Sequence, residues 1–283
     1  MGERRAVPGQ AAADLRPVTW WFMVRTMIGA RIRAQTGYRS SFAADLASQL
    51  FLAATEFVEI YVLLHNAPVF GGMNLAQATV VYGLACVAFG IADMLFGQLD
   101  NMHTFIREGR LETLLVRPTS LLLQLVTADV QLRRLGRAGF GLAAYLIALA
   151  VCGVEWTPVA VVLAVLAPLG GVLIFGALFL ASGSLHFWVL DGQQAGNAFV
   201  YGGRYVSSVP ASALMTPLRV FFTFVVPATL VAYVPAAVLV GAPLPAFLWP
   251  EMAWLGIPVG VLLWAVVLLI WRAGVRRYSG AGG

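Results

Sequence analysis

The sequence contains no lysine: all 18 basic residues are arginine. A phosphate-binding loop of the form GxxxxGK followed by Ser or Thr needs that lysine to reach the terminal phosphates of ATP, so the chain carries no such site. Charge of either sign is scarce, with 13 Asp+Glu and 11% charged residues overall, too little polar surface to coat a soluble domain. Cysteine is nearly absent. Cys86 and Cys152 both fall in apolar runs, with neither metal-ligand spacing nor an extracytoplasmic loop to pair in, and read as small packing residues. His65, His103 and His186 are scattered and form no constellation with a nucleophile or a metal cluster, which argues against an intramembrane enzyme.

What is present is apolar: 60% hydrophobic residues and a mean hydropathy of +0.84. A helix needs roughly 20 mainly apolar residues to cross about 30 Å of hydrocarbon. Six segments qualify: Ser41 to Leu64, Thr79 to Leu99, Leu135 to Cys152, Val159 to Val189, Val220 to Val240 and Met252 to Ala273. Threaded through these spans, every arginine falls on the side of the N-terminus, whereas the connections His65 to Gln77, Gly153 to Pro158 and Gly241 to Glu251 hold none. Arginine near span ends is retained in the cytoplasm, so the asymmetry predicts an all-α integral membrane protein of six helices with both ends inside. The arginines flank spans instead of forming a domain face, which points to anionic lipid headgroups and away from nucleic acid. The polar start, Met1 to Asp14, lacks the features of a secretory signal, so the first span is expected to stay in the mature protein.

From Pro17 to Tyr38, Trp20, Trp21, Val24, Met27 and Ile28 recur at helical spacing while Arg25, Arg31 and Arg33 take other faces. That pattern suits a helix in the inner headgroup layer; the alternative is an inward extension of the first span. Within the first span, Ser41, Asp45, Ser48, Glu56 and Glu59 lie on one helical stripe. Carboxylates at membrane depth mark either a water-filled path or a buried polar partner, and for Glu56 and Glu59 both readings stand. In the second span Gly83, Gly90 and Gly97 repeat every seven residues and make a face for close helix approach, with Asp93 beside it. Glu56, Glu59 and Asp93 together are candidates for an acidic path that attracts cations.

Glycines thread the third and fourth spans, and Pro168 frees a backbone carbonyl that must find a partner. His186 near the fourth span's inner end reads as a hydrogen-bonded structural residue, with a proton relay as the alternative. Asp191 to Arg219 follows as a cytoplasmic connection, with Tyr201 and Arg204 around a glycine pair; Arg204 is suited to a lipid phosphate, a carboxylate or a partner surface. Pro227 and Pro235 interrupt the fifth span, and the connection up to Glu251 suits a short re-entrant or cap structure. Trp271, Arg272, Arg276, Arg277 and Tyr278 form an inner anchor before a flexible end, Ser279 to Gly283.

The connection from Asp100 to Arg134 mixes leucines with charges, which a simple linker would not need. Phe105, Ile106, Leu111, Leu114, Leu115 and Val116 form apolar faces beside Arg107, Glu108, Arg110, Glu112 and Arg117, with Gly109 and Pro118 as breaks. Short amphipathic helices at the inner face suit docking into a groove on a soluble partner, or lying flat on lipid.

GRLETLLVRPTSLLLQL followed by DVQLRRLGR, then NAFVYGGRYVSSVP and the ending WRAGVRRYSGAG, resembles the export-type ABC transporter permeases. More narrowly, it is similar to a bacterial subfamily of the ABC type 2 membrane superfamily once catalogued as a domain of unknown function. The resemblance implies a non-enzymatic permease subunit of an ATP-driven exporter in the bacterial inner (cytoplasmic) membrane. Residues 1–40 would be a cytoplasmic N-terminus and interfacial helix, 41–273 the permease domain and 274–283 a cytoplasmic tail. A coupling helix over about Met102 to Arg117 would rest on a separate ABC ATPase subunit, through Thr104, Phe105, Arg107, Glu108, Arg110, Leu111, Glu112 and Arg117. Two ATPase copies would hold ATP and magnesium, with no cofactor in this chain, and a second permease, identical or paralogous, would complete the path. Export of an amphipathic or cationic organic compound, of the drug or toxicant type, fits the acidic candidates. A proton-coupled secondary transporter using the same carboxylates is the alternative, although no inverted repeat is visible.

Overall fold

A computed structural model describes residues 20–37, 39–66, 69–128, 130–189 and 192–278. The polar start Met1 to Asp14 and the end Ser279 to Gly283 lie outside the described residues, as do the side chains of Trp20, Trp21, Val24, Met27, Ile28 and Arg31. The described chain is helical, with one isolated bridge between Phe70 and Met73. Helix α1 (Trp20–Gly37) is separate from α2 (Arg39–Asn66) and packs on it. Next come α3 (Leu75–Phe96), a 3-10 turn at Gly97–Asn101, and the short helices α4 (Met102–Arg107), α5 (Arg110–Leu115) and α6 (Leu121–Ala128). Two long helices follow, α7 (Leu135–Val151) and α8 (Pro158–Leu185). Five helices are long and apolar enough to cross a membrane: α2, the α3 segment, the α7 segment, α8 and α13 (Gly256–Arg277).

Helix α3 is the spine, its side chains buried from Ala78 to Gly90. A capping box between Asn74 and Gln77 starts it by satisfying backbone donors at both positions. The seven-residue glycine repeat is its seam with the antiparallel α7. A Cβ at Gly83 would lie 2.6 Å from the Tyr145 backbone nitrogen, and one at Gly90 would lie 2.9 Å from Ala138. Such close approach gives van der Waals contact along both backbones, the main attraction left between helices when lipid is the solvent. Helices α8 and α13 run parallel through a second glycine seam, Gly170 against Gly256 and Gly260 against Leu173. Trp264 Nε1 donates to the Leu173 carbonyl at 2.9 Å across it. Pro168 sits inside α8, and the carbonyl its ring deprives of a donor, that of Ala164, accepts from the Tyr145 hydroxyl of α7 at 3.1 Å. In hydrocarbon that carbonyl would otherwise cost several kcal/mol.

The fifth apolar segment departs from expectation. Val220 to Val240 is not one straight helix: α10 (Thr216–Phe224) bends by 69° into α11 (Ala228–Val231) and α12 (Tyr233–Leu239), with Pro227 in the break. Both ends of this hairpin lie at the end of the bundle where α2 meets α3. Ser212 Oγ, just before α10, donates to the Gly71 carbonyl, and Gln77 Nε2 reaches the Val240 carbonyl just after α12 at 3.5 Å. Gly71 has φ +59, and a Cβ there would lie 2.9 Å from the Ala213 backbone nitrogen, so only glycine fits beneath the hairpin's entry.

The segment expected as a cytoplasmic connection therefore runs the length of the bundle instead. Helix α9 (Gln193–Ser207) starts beside the last turn of α8, where Gly192 meets Leu185. It climbs antiparallel to α8, with Gly196 on Ser182 and Gly203 close to Leu178, and delivers the chain to Ser212 at the opposite end. The tip of the hairpin, Val226 and Ala228, rests on Gly203. Tyr201 and Arg204 thus belong to a packed helix inside the bundle, a correction to the loop assigned to them. The reason is local: QQAGNAFVYGGRYVS is short and polar, yet Tyr201 and Arg204 find partners on other elements, Asp100 and Glu56.

Candidate functional site

Two arrangements hold the chemistry-bearing residues: a folded unit on the connection from α3 to α7, and a ladder of charges inside the bundle. The first begins where α3 ends. Met102, Phe105 and Ile106 of α4 and Leu111 of α5 are buried in the main core and anchor the unit. Between the two helices Gly109 turns with φ +64, a conformation that costs other residues about 1–2 kcal/mol. The outward side carries Arg107, Glu108, Arg110, Glu112 and Arg117, all exposed, with Leu115 and Val116 exposed among them. Val116 is 85% exposed, an apolar tip in a charged rim. Glu108 pairs with Arg110 at 3.2 Å, and the Arg110 guanidinium lies 4.6 Å from the Phe105 ring centroid. Both contacts are solvated and contribute little to stability, so they order the rim more than they hold the fold.

Three contacts fasten this unit to the bundle. Gln124 of α6 donates to the carbonyls of Leu114 at 2.9 Å and Thr119 at 3.0 Å, closing the end of α5. Tyr278, just past α13, donates to Glu112 at 3.2 Å. Burial and the neighbouring Glu112 carboxylate both push the Tyr278 phenol above its ordinary pKa, so it stays protonated and keeps donating at neutral pH. His103 Nδ1 lies 3.3 Å from the Asp100 carbonyl, which can only accept, so Nδ1 carries the proton and Nε2 accepts from the half-buried Thr104 hydroxyl at 3.1 Å. His186, buried at the end of α8, packs its ring 5.5 Å from that of His103.

The ladder climbs from that point. Asp100 accepts from the Tyr201 hydroxyl of α9 at 2.7 Å. Two turns up, Asp93 pairs with Arg134, which also donates to the Asp93 carbonyl at 2.7 Å. Above it Glu56 of α2 sits between Arg204 of α9 and Arg137 of α7, the latter at 3.4 Å. Phe89 lies at the centre, its ring 5.3 Å from the Arg204 guanidinium and 6.0 Å from that of Arg137. The three carboxylates face three arginines and a tyrosine, so the ladder is close to charge balance. That balance is what makes such groups tolerable away from water.

The three acidic path candidates therefore part company. Glu56 and Asp93 are enclosed by arginines, while Glu59 is exposed on the face of α2 that turns away from the rest of the chain. On α9, Phe199, Tyr201 and Tyr205 are likewise at least 40% exposed. Of the docking candidates, Phe105 and Leu111 point inward as anchors and the charged residues point out. Sequence reasoning did not name Arg134, Arg137, Tyr201 with Asp100, or Tyr278 with Glu112 as pairs. An arginine two residues inside an apolar helix, as Arg137 is, was the available signal. Among the described residues no group of three or more His, Cys, Asp or Glu is placed to hold a metal ion. A cavity of about 750 Å3 is an apolar groove between α2, α3 and α7 that includes Phe57, Phe140 and Cys152 and lies apart from the ladder.

No curated protein and no solved structure matches the chain. A family model does, that of the ABC-2 family transporter protein, over residues 50–282, which takes in the α3–α7 connection, the ladder and the hairpin. The chain belongs to the ABC-2 family of transporter proteins.

Proposed function

We propose that this chain is the membrane half of an ATP-driven exporter, with the arginine-rich end of the bundle and both termini in the cytoplasm. The observation that carries this reading is the unit of α4 and α5: buried Phe105 and Leu111 tie it to α3, while a charged rim around Val116 faces outward where a soluble partner would dock. Family membership implies a partner ABC ATPase, and the absence of lysine agrees with ATP and magnesium being held there. Two ATPase copies closing around ATP would push on Thr104 to Arg117. The push would pass through Asp100 and Tyr201 to α9, and through Tyr278 to α13.

A second permease, identical or paralogous, completes the path. Glu59 and the exposed aromatic face of α9 support this, since a carboxylate left against lipid costs several kcal/mol and calls for water or a protein partner. A path lined by Glu59, Tyr201 and Tyr205 suits an amphipathic cation, which aromatic faces and a carboxylate both attract. Glu56 and Asp93 serve the same path by holding its helices in register. Proton-coupled transport is disfavoured, because two of the three carboxylates it would use, Glu56 and Asp93, are engaged by arginines.

The test is reconstitution in vesicles with the partner ATPase. Arg110→Ala with Glu112→Ala is expected to leave the complex intact and to lower transport per ATP hydrolysed by about tenfold, a typical coupling between sites. Glu59→Gln is expected to slow export of cationic compounds more than of neutral ones. Unchanged transport per ATP in the double variant would remove the docking role from this unit.

A further inference from the structure

At the arginine-rich end, α1, the start of α2 and the turn before α7 enclose a cavity of about 410 Å3 that the transport path does not use. Its walls include Gln35, Ser41, Phe42, Asp45, Gln131 and Arg133. Gln35 fastens one side, donating to the Val130 carbonyl at 2.5 Å and accepting from the Leu132 backbone at 3.0 Å. On the other side Gln131 accepts from Arg133 Nε at 3.3 Å and Nη2 at 3.0 Å, which aims Nη1 toward the cavity. Nη1 stands 3.8 Å from the Asp45 carboxylate, and both side chains remain nearly half exposed, at 46% and 48%. Among the described residues the cavity thus presents the Arg133 cation, held by Gln131, and the Asp45 anion, close together yet not in hydrogen-bonding contact.

We propose that this cavity binds the headgroup of a phospholipid that carries both a phosphate and a primary ammonium, with the phosphate on Arg133 and the ammonium on Asp45. Depth agrees, because Asp45 lies two turns into α2 and Arg133 just before α7, where headgroups meet a spanning helix. Chemistry selects the class. A purely anionic headgroup would satisfy Arg133 but face repulsion from Asp45, and a choline headgroup would offer Asp45 no N–H to donate. A primary ammonium makes charge-assisted hydrogen bonds to the carboxylate. Phe42 supplies an apolar wall for the glycerol and the first acyl carbons.

The experiment is native mass spectrometry of the full chain, purified in mild detergent and offered equal amounts of phosphatidylethanolamine, phosphatidylcholine and phosphatidylglycerol with the same acyl chains. The wild type is expected to retain the ethanolamine lipid about tenfold over either competitor. Asp45→Asn should erase its advantage over the choline lipid, and Arg133→Gln should lower retention of all three. Melting temperatures within about 2 °C of wild type certify the variants as folded; should either fail that check, the wild-type ranking decides alone. Equal retention of the three lipids, or a preference for the glycerol lipid, overturns the proposal. So does soluble phosphoethanolamine that binds as tightly as the lipid, since the ligand would then be a free metabolite.

Discussion

Glu56 is shared unequally among its partners, and that asymmetry can be measured. Replacing it with alanine strands two guanidiniums inside the bundle, whereas Arg204→Ala leaves the Glu56–Arg137 pair intact. Breaking a buried pair by removing one partner costs about 3–5 kcal/mol, so Glu56→Ala is expected to lose stability on that scale and Arg204→Ala clearly less. Thermal unfolding in mild detergent ranks them; equal losses would mean that Arg137 does not share the carboxylate. Glu56 and Asp93 were legible in the sequence as costly groups at membrane depth. Their partners were not, because Arg134, Arg137 and Arg204 had been counted as markers of the cytoplasmic side. An arginine's long side chain reaches several ångströms along its helix, so residue number alone does not tell a headgroup anchor from a buried counter-charge.

The glycine seams set how closely whole helices approach. A Cβ at Gly83 would lie 2.6 Å from one backbone nitrogen of α7 and 2.8 Å from the Gly141 carbonyl, whereas one at Gly139 would meet nothing within 4 Å. Gly83→Ala is therefore expected to force α7 outward and cost about 1–3 kcal/mol, while Gly139→Ala gains about 0.5–1 kcal/mol from helix preference. Paired unfolding measurements check this, and similar effects at both positions would contradict the seam. The five long helices and the α3 glycine face could be read from apolar run length and a seven-residue spacing. Helix α9 could not, because its place in the bundle rests on tertiary partners: Tyr201 on Asp100, Arg204 on Glu56, and glycines at 196 and 203 against α8 and the hairpin. Val220 to Val240 departed in the opposite sense, apolar enough to span yet bent by 69° around Pro227.

For the molecule as a whole, Ala213 decides between the two threadings. It lies beside Gly71 at the end opposite the arginine-rich one, whereas a cytoplasmic Asp191 to Arg219 would put it on the side of Thr113. In a cysteine-free background, Ala213→Cys and Val69→Cys are expected to react with a membrane-impermeant thiol reagent in intact cells, and Thr113→Cys only after permeabilisation. Ala213→Cys behaving like Thr113→Cys would restore the simpler threading. The placement of Arg204 also bears on biogenesis. Helix α9 is short and polar, and the counter-charge of its Arg204 stands 148 residues earlier in the chain, so it is synthesised first. Glu56 then acts as a receptor for a late-arriving arginine, with Arg137 holding its charge in the interval. The order of synthesis thus becomes an order of assembly, in which a carboxylate on α2 waits for an arginine on α9.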